Sequence, residues 1–462
     1  MTVRLNIRLR LFSMLLILAA LLAAVSGCAG TTEPGTKPAS FGTYGPDFAK
    51  KIAKQFPARS PGSEGERMTG DLIIAEFKAL GYEPTVTSFT FKTPQGLTKT
   101  SRNISVRIPG TGFEKENEDG TIDTFSRQVI VGAHYDAFAT AEQIAQARTA
   151  STKTAATGST TAKSVSLVPT WADFNGISDN ASSIGALMVV AREMKEKRTG
   201  YDVILVAFGA GKSNQAGARH FARQMSNEEI ESTDAMYNME GIYAGDKLYA
   251  HSGQNSILPG NQKDYEKRRK LYEATDVYYE YELYSQNRVA LYTNQSSIEV
   301  DRNGDSVMEL YREWTLHVSD HTPFDELGIP IVFFEGFDYD AATVDDMKES
   351  SNPTFTETNG QIKDTPYDSL AFLEKLLNQQ KELMASPTPA AGTPAATKIT
   401  VSPAPTGSAT PGSTTNGTTT TPEDEGEDEE ETIVDVLTRR INNTAFIILE
   451  SIRKGTASAT AR

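Results

Sequence analysis

The sequence predicts an α/β fold: one large domain built on a mainly parallel, mixed sheet sandwiched by helices, with flexible insertions. Three observations carry this. Short, largely apolar runs at 129–133, 203–208, 235–242 and 329–334 read as strands buried on both faces. Segments with helical apolar spacing fall between them, and that alternation lays helices over both faces of a sheet. The 462 residues are also enough to bury a sizeable core.

From the N-terminus, residues 1–27 place Arg4, Arg8 and Arg10 before an apolar run at 11–25 and a few small residues. These are the three regions of an export signal, and the apolar run is too short for a confident membrane span. The run ends Val25-Ser26-Gly27-Cys28, which resembles the bacterial lipobox. That resemblance implies cleavage before Cys28 and a lipid on its sulfur, so the mature protein would be extracytoplasmic and lipid-anchored to a bacterial membrane. Residues 28–42 then form a tether. Cys28 is the single cysteine and there are five histidines, which excludes a disulfide framework and a cysteine-rich zinc module. A net charge of −15 argues against nucleic acid as a partner.

The main domain is expected over 43–385. Helices are predicted at 47–56 and 66–80, the second with Met68, Leu72, Ile73, Phe77 and Leu80 on one face and Gly81 as its stop. Strands follow at 87–92 and 103–108, then at 129–133. Residues 138–168, dominated by Ala, Thr, Ser and Gln, read as a mobile insertion with one helical turn near 141–150. A helix is predicted at 181–195 and another at 369–384. Residues 386–422 hold seven of the 21 prolines and run into 423–431, where eight of nine residues are acidic. Together, 386–431 read as a disordered linker. Apolar positions from Ile433 to Ile452 recur at three- and four-residue spacing, so 432–455 is an amphipathic helix expected to pack back on the domain. A partner-binding or membrane-surface helix is the alternative.

Four separated motifs fall near strand ends. Val129-Ile-Val-Gly-Ala-His134-Tyr-Asp136 closes a strand with His-x-Asp, in which the Asp can orient the imidazole toward a metal. Gly176-Ile-Ser-Asp179-Asn180 opens a helix. Tyr237-Asn238-Met239-Glu240-Gly241 ends a third segment with a carboxylate, and Ser319-Asp320-His321-Thr-Pro323-Phe324 supplies a second histidine. Side chains at the carboxyl ends of neighbouring strands can converge in one crevice, and nitrogen and oxygen donors of this mix suit zinc.

In order and local sequence these motifs resemble the zinc aminopeptidases of the leucyl aminopeptidase and glutamate carboxypeptidase type, over roughly 41–335. Arg59-Ser-Pro-Gly-Ser63 resembles the same family's entry segment. The resemblance implies an exopeptidase acting on peptides or protein termini. It also implies that His134, Asp179 and Glu240 bind a first zinc, and that Asp179 bridges to a second zinc held also by His321. Glu240 stands where the family has Asp, and Ser178 where it has the first Asp of a pair. The larger departure lies in Val206-Ala-Phe-Gly-Ala210-Gly211-Lys212. There Gly211 replaces the Glu that serves as general base, and Lys212 replaces a Glu ligand of the second zinc. A glycine cannot accept a proton, and the Lys212 ammonium would sit near the second ion's position, so one zinc is expected rather than two.

Gly209-Ala-Gly-Lys-Ser213 ends like a phosphate-binding loop, but Val206 occupies the required first glycine, so no nucleotide is expected. Asp301-Arg-Asn303-Gly-Asp305 lacks the later ligands of a calcium loop. The tyrosines between Tyr265 and Tyr292 line the crevice mouth or pack an insert. Three classes remain open: a cell-surface metallo-exopeptidase, a degenerate peptide- or protein-binding module, and a structural envelope lipoprotein.

Overall fold

The computed structural model describes residues 41–156, 168–195, 198–253, 263–283, 290–293, 298–300, 309–311, 313, 315–341, 343–385 and 435–459. The export signal, Cys28 and residues 29–40 of the expected tether, residues 157–167 of the expected insertion, and the 386–431 linker lie outside the described residues; the last two tether positions belong instead to the domain, with Phe41 buried in its main core. Among the described residues no helix is long and apolar enough to cross a membrane.

The chain opens with helices α1 (Tyr44–Gln55) and α2 (Glu64–Ala79), followed by strands β1 (Thr85–Lys92), β2 (Thr98–Ile108), β3 (Phe113–Glu116), β4 (Ile122–Phe125) and β5 (Gln128–His134). Next come α3 (Ala141–Ala156), a one-turn segment Ile177–Ser182, α4 (Ser183–Met194), β6 (Asp202–Phe208), α5 (Ala216–Gln224), α6 (Asn227–Ser232), β7 (Thr233–Glu240) and β8 (Lys247–His251). The rest comprises α7 (Lys263–Glu280), β9 (Leu291–Tyr292), β10 (Ile298–Val300), β11 (Glu309–Tyr311), α8 (Thr322–Glu326), β12 (Ile331–Phe337), α9 (Leu370–Ala385) and α10 (Val436–Ala459).

Eight strands form one sheet in the order β1-β2-β6-β5-β7-β12-β8-β9. The central run β6-β5-β7-β12 is parallel, and β2 and β8 join it antiparallel. The fold is therefore a mixed α/β sheet flanked by helices. Alternation along each central strand explains the largely apolar runs. Val129, Val131 and Ala133 of β5 face the larger core with Val203, Leu205 and Ala207 of β6. Ile130, Ile204, Val206 and Phe208 face a second core with Phe221 and Phe324. Both faces are covered, so both side-chain sets are apolar.

On the larger face α4 lies against α1 and α10 and is buried all round. The approach is close: a Cβ on Gly185 would lie 2.6 Å from the carbonyl oxygen of Gly45, so only glycine fits that crossing. Helix α10 enters the core through Leu437, Ile441, Ala445, Ile448 and Ile452. It packs mainly on α4 and α7, with lighter contact to α9. Its Arg440, buried, donates to the carbonyls of Ile242, Ala244 and Gly245.

Several local expectations change. The face of α2 that is buried runs through Glu66, Thr69, Gly70, Ile73 and Phe77, while Met68 is 43% exposed. The shift follows from Glu66, whose carboxylate turns inward to Ser101 and the backbone of Ala210. Where one helical turn was expected near 141–150, α3 runs for 16 residues. Thr140 and Gln143 exchange backbone-to-side-chain hydrogen bonds of 2.9 and 3.2 Å at its start, and Ala and Gln then propagate it. The tyrosine-rich segment supplies α7, whose Tyr278 is buried in the main core, and Tyr281 just beyond its end packs against that core.

Candidate functional site

Four strand-end features build the site. Strand β5 delivers His134, and the chain turns so that Asp136 comes back beneath it. His134 Nδ1 lies 3.3 Å from Asp136 Oδ1 and 3.2 Å from the Asp136 carbonyl. The same Asp136 carboxylate accepts from the backbone N–H groups of Gly211 and Lys212 at 2.7 and 2.9 Å. One buried side chain thus ties the histidine to the loop after β6. Gly211 is needed there, because a Cβ on it would meet His134 Cβ at 2.4 Å.

The turn Ile177–Ser182 presents Asp179. Asp368 holds that turn by accepting from Ser178 N and Asp179 N at 2.8 and 3.0 Å. Arg59, fully buried, donates to the carbonyls of Tyr135, Asn175 and Gly176 and locks the β5 loop to the same turn. Strand β7 carries Glu240. Asn180 fixes its end by donating to the Met239 carbonyl and accepting from Gly241 N, both at 3.0 Å.

Single ligand atoms of His134, Asp179 and Glu240 lie within 4.8 Å of one another. His134 Nε2 is 3.2 Å from Asp179 Oδ1. Lysines attend both carboxylates. Lys212 Nζ contacts Asp179 and lies 3.0 Å from Asp364, and Lys363 Nζ is 3.5 Å from Glu240. Burial raises the Asp179 pKa, but the Lys212 ammonium and His134 outweigh it and hold the group well below the ordinary carboxylate range. Burial likewise opposes ionisation of Glu240, and Lys363 and Lys212 pull it below its usual value. Burial pulls the His134 imidazole down, and Asp136 and Asp179 overcome that and raise it.

A cavity of about 140 Å³ opens over this group, lined by His134, Gly211, Lys212, Glu240 and Asp320 among others. Asp320 is 1% exposed and neither of its oxygens has a hydrogen-bond partner. Burial pushes its carboxyl up to about 7, against the pull of His134. His321 lies outside the trio. It is buried against Phe333, with ring centroids 4.5 Å apart, and its Nδ1 is 3.4 Å from Asn238 Nδ2. The turn into α8 sends these adjacent side chains different ways, so Asp320 rather than His321 lines the cavity.

Sequence reasoning missed Asp320, although it sits inside the Ser319-Asp320-His321 motif. It also missed Lys363 and Asp368, which arrive from a loop 123 residues beyond Glu240 and 190 beyond Ser178. Glu66 was passed over as well. Burial and nearby Asp136 push its carboxyl to about 7, and it braces the Ala210 backbone behind Gly211.

A buried histidine and two carboxylates at the carboxyl edge of a doubly covered parallel sheet define an α/β protein with a metal-type crevice. A sequence profile of peptidase family M28 matches residues 117–375, more than half of the chain, and the chain belongs to that family. The alkaline phosphatase isozyme conversion protein of Escherichia coli K12 is 25% identical over 215 residues, 46% of this chain and 54% of that relative. This chain therefore spans about half the length of that curated relative. Among solved structures, BSAP, a zinc aminopeptidase from Bacillus subtilis, aligns at a TM-score of 0.46 and 13% identity over 76% of this chain and 93% of its own. A glutaminyl cyclase from an Acidobacteriales bacterium aligns at 0.42 and 18% identity over 76% and 99%.

Proposed function

We propose that this chain is a zinc-dependent exopeptidase that removes residues from the N-termini of peptides or proteins outside the cytoplasm, tethered to a bacterial membrane by a lipid on Cys28. The observation that supports it is the His134, Asp179, Glu240 group beneath a cavity that also contains the unpartnered Asp320. The donor set fits zinc: one imidazole nitrogen and two carboxylates, with neither Asp179 oxygen engaged in a well-formed hydrogen bond. Zinc held there with an open position would polarise a peptide carbonyl and make water easier to ionise.

The chain's own residues supply the rest. Asp136 holds the His134 ring in place. The Lys212 ammonium pairs with Asp179, the carboxylate that the resemblance implies would bridge to a second ion, so one zinc is the expected complement. Gly211 leaves the usual base position without a side chain, and Asp320 is the group facing the cavity that can take and return a proton near neutrality.

A second reading, a peptide-binding module without turnover, is favoured by one observation: Lys212 pairs directly with Asp179. Soluble protein from Thr31 onward separates the two. One zinc per chain and turnover of aminoacyl anilides, both lost in His134→Ala, support the exopeptidase. Zinc without turnover supports the binding module, and a protein that binds no zinc overturns the proposed site. Metabolic labelling with a fatty acid, abolished by Cys28→Ser, tests the anchor.

A further inference from the structure

The catalytic-type cavity is the first of three that follow one another along the sheet's edge. Asn214 lines it and also lines a second cavity of about 270 Å³. His220 lines that second cavity and a third of about 220 Å³ between β1, β2 and α5. The row therefore begins at the metal-type group and continues outward past α5. β1, which forms one wall, is the terminal strand of the sheet, and the outer side of such a strand can accept an extended chain.

The second cavity has a distinct chemistry. Phe89 and Phe91, both buried, belong to the small cluster beneath it, and the His220 ring stacks on Phe89 with centroids 5.0 Å apart. Lys92, Arg219 and Arg223 line it, and no acidic side chain does. Arg219 is paired with Glu326 at 3.1 Å. Lys92 and Arg223, both exposed, form no ion pair among the described residues. In a chain with a net charge of −15, a basic, aromatic-floored cavity beside the site is a local inversion of charge.

We propose that this row is the binding path for the polypeptide that follows the terminal residue, and that the second cavity takes an aspartate or glutamate side chain of that polypeptide. The proposal rests on reading the first cavity as the place of a peptide N-terminus, and it adds the substrate class: extended peptides that are acidic a few residues in. The free cations of Lys92 and Arg223 attract the carboxylate, and the Phe89 and His220 rings cover the aliphatic part of the side chain.

The test is fluorescence polarisation with zinc-free protein and labelled octapeptides that differ only in carrying Glu or Gln at positions three to five. Acidic peptides are expected to bind at least tenfold more tightly than their Gln counterparts. Lys92→Glu/Arg223→Glu should abolish that selectivity, whereas the same charge change at Lys51→Glu/Lys54→Glu on α1 should preserve it. The milder Lys92→Gln/Arg223→Gln should fall between. Equal binding of both peptides, or selectivity that survives the groove reversal, overturns the proposal. Because the readout needs neither zinc nor turnover, acid-selective binding without hydrolysis would keep this inference and defeat the exopeptidase reading. Anilide turnover without acid selectivity would do the reverse.

Discussion

Two buried clusters of histidine and carboxylate sit on neighbouring strands, and they are built in opposite ways. Glu240 of β7 and Glu335 of β12 are register partners. Around Glu240, which accepts from Ser319, are His134, Asp179 and Asp320; the oxygens of Asp179 and Asp320 lack well-formed hydrogen bonds, and Asp320 lines a cavity with Glu240 and Lys212. Around Glu335 each oxygen is engaged. Oε1 accepts from Thr315 at 3.0 Å and from Tyr339 at 2.6 Å, and Oε2 lies 2.5 Å from His317 Nδ1. Tyr249 stacks on His251, which lies 3.4 Å from the same carboxylate. Residue types alone do not distinguish the clusters. Unsatisfied oxygens beside open space do, since buried polar atoms ordinarily find partners.

Four measurements would break or sharpen this contrast. The largest effect is expected from His134→Ala, which should abolish zinc binding by mass spectrometry and reduce any anilide turnover by about 10²-fold or more, with the fold retained. Next, Glu335→Ala should leave zinc content unchanged and cost about 3–5 kcal/mol in chemical denaturation, because it strands the buried partners of a satisfied charge. Zinc loss in that variant would erase the distinction.

The third measurement uses pH. The Asp320 carboxyl is raised from 3.8 to about 7, so between those values the folded state holds a proton that the unfolded chain has released. Stability should therefore fall as pH rises through that window. Asp320→Asn should relieve the penalty, stabilising the metal-free protein at pH 8 by a few kcal/mol. His251 behaves oppositely. Burial lowers it from 6.5 to about 4, so the unfolded chain takes up the proton first and stability should fall as pH drops across that range. Thermal melts of wild type and variants from pH 4 to 9 would separate the two slopes. The smallest effect is expected from Tyr339→Phe, which removes one hydrogen bond to Glu335 and should cost about 1 kcal/mol without touching the zinc site.

The central strands were legible because burial on both faces leaves largely apolar runs; β5, β6 and β12 each carry an unbroken one, and in β7 Asn238 interrupts it. The hairpin of β3 and β4 and the short β8 and β9 were not, since half-exposed or brief strands leave little periodic signal. His134, Asp136, Asp179 and Glu240 could be picked out because local motifs surround them. Lys363, Asp364 and Asp368 could not, because their partners are distant in sequence and only tertiary folding brings them together. Gly211 was legible as a missing carboxylate. That the backbone there presses on His134, leaving no room for any side chain, is visible only in three dimensions.

Helix α10 closes the domain by filling a space between α1, α4 and α7, with Phe446 against Phe41 and Asn442 donating to the Gly42 carbonyl at 2.9 Å. It reaches that space only after residues 386–434 have been made. During synthesis the body of the domain must therefore wait, with an apolar trench open, until the last segment emerges. A protease cut anywhere in 386–434 would yield two fragments that stay together without a covalent link and separate only on denaturation.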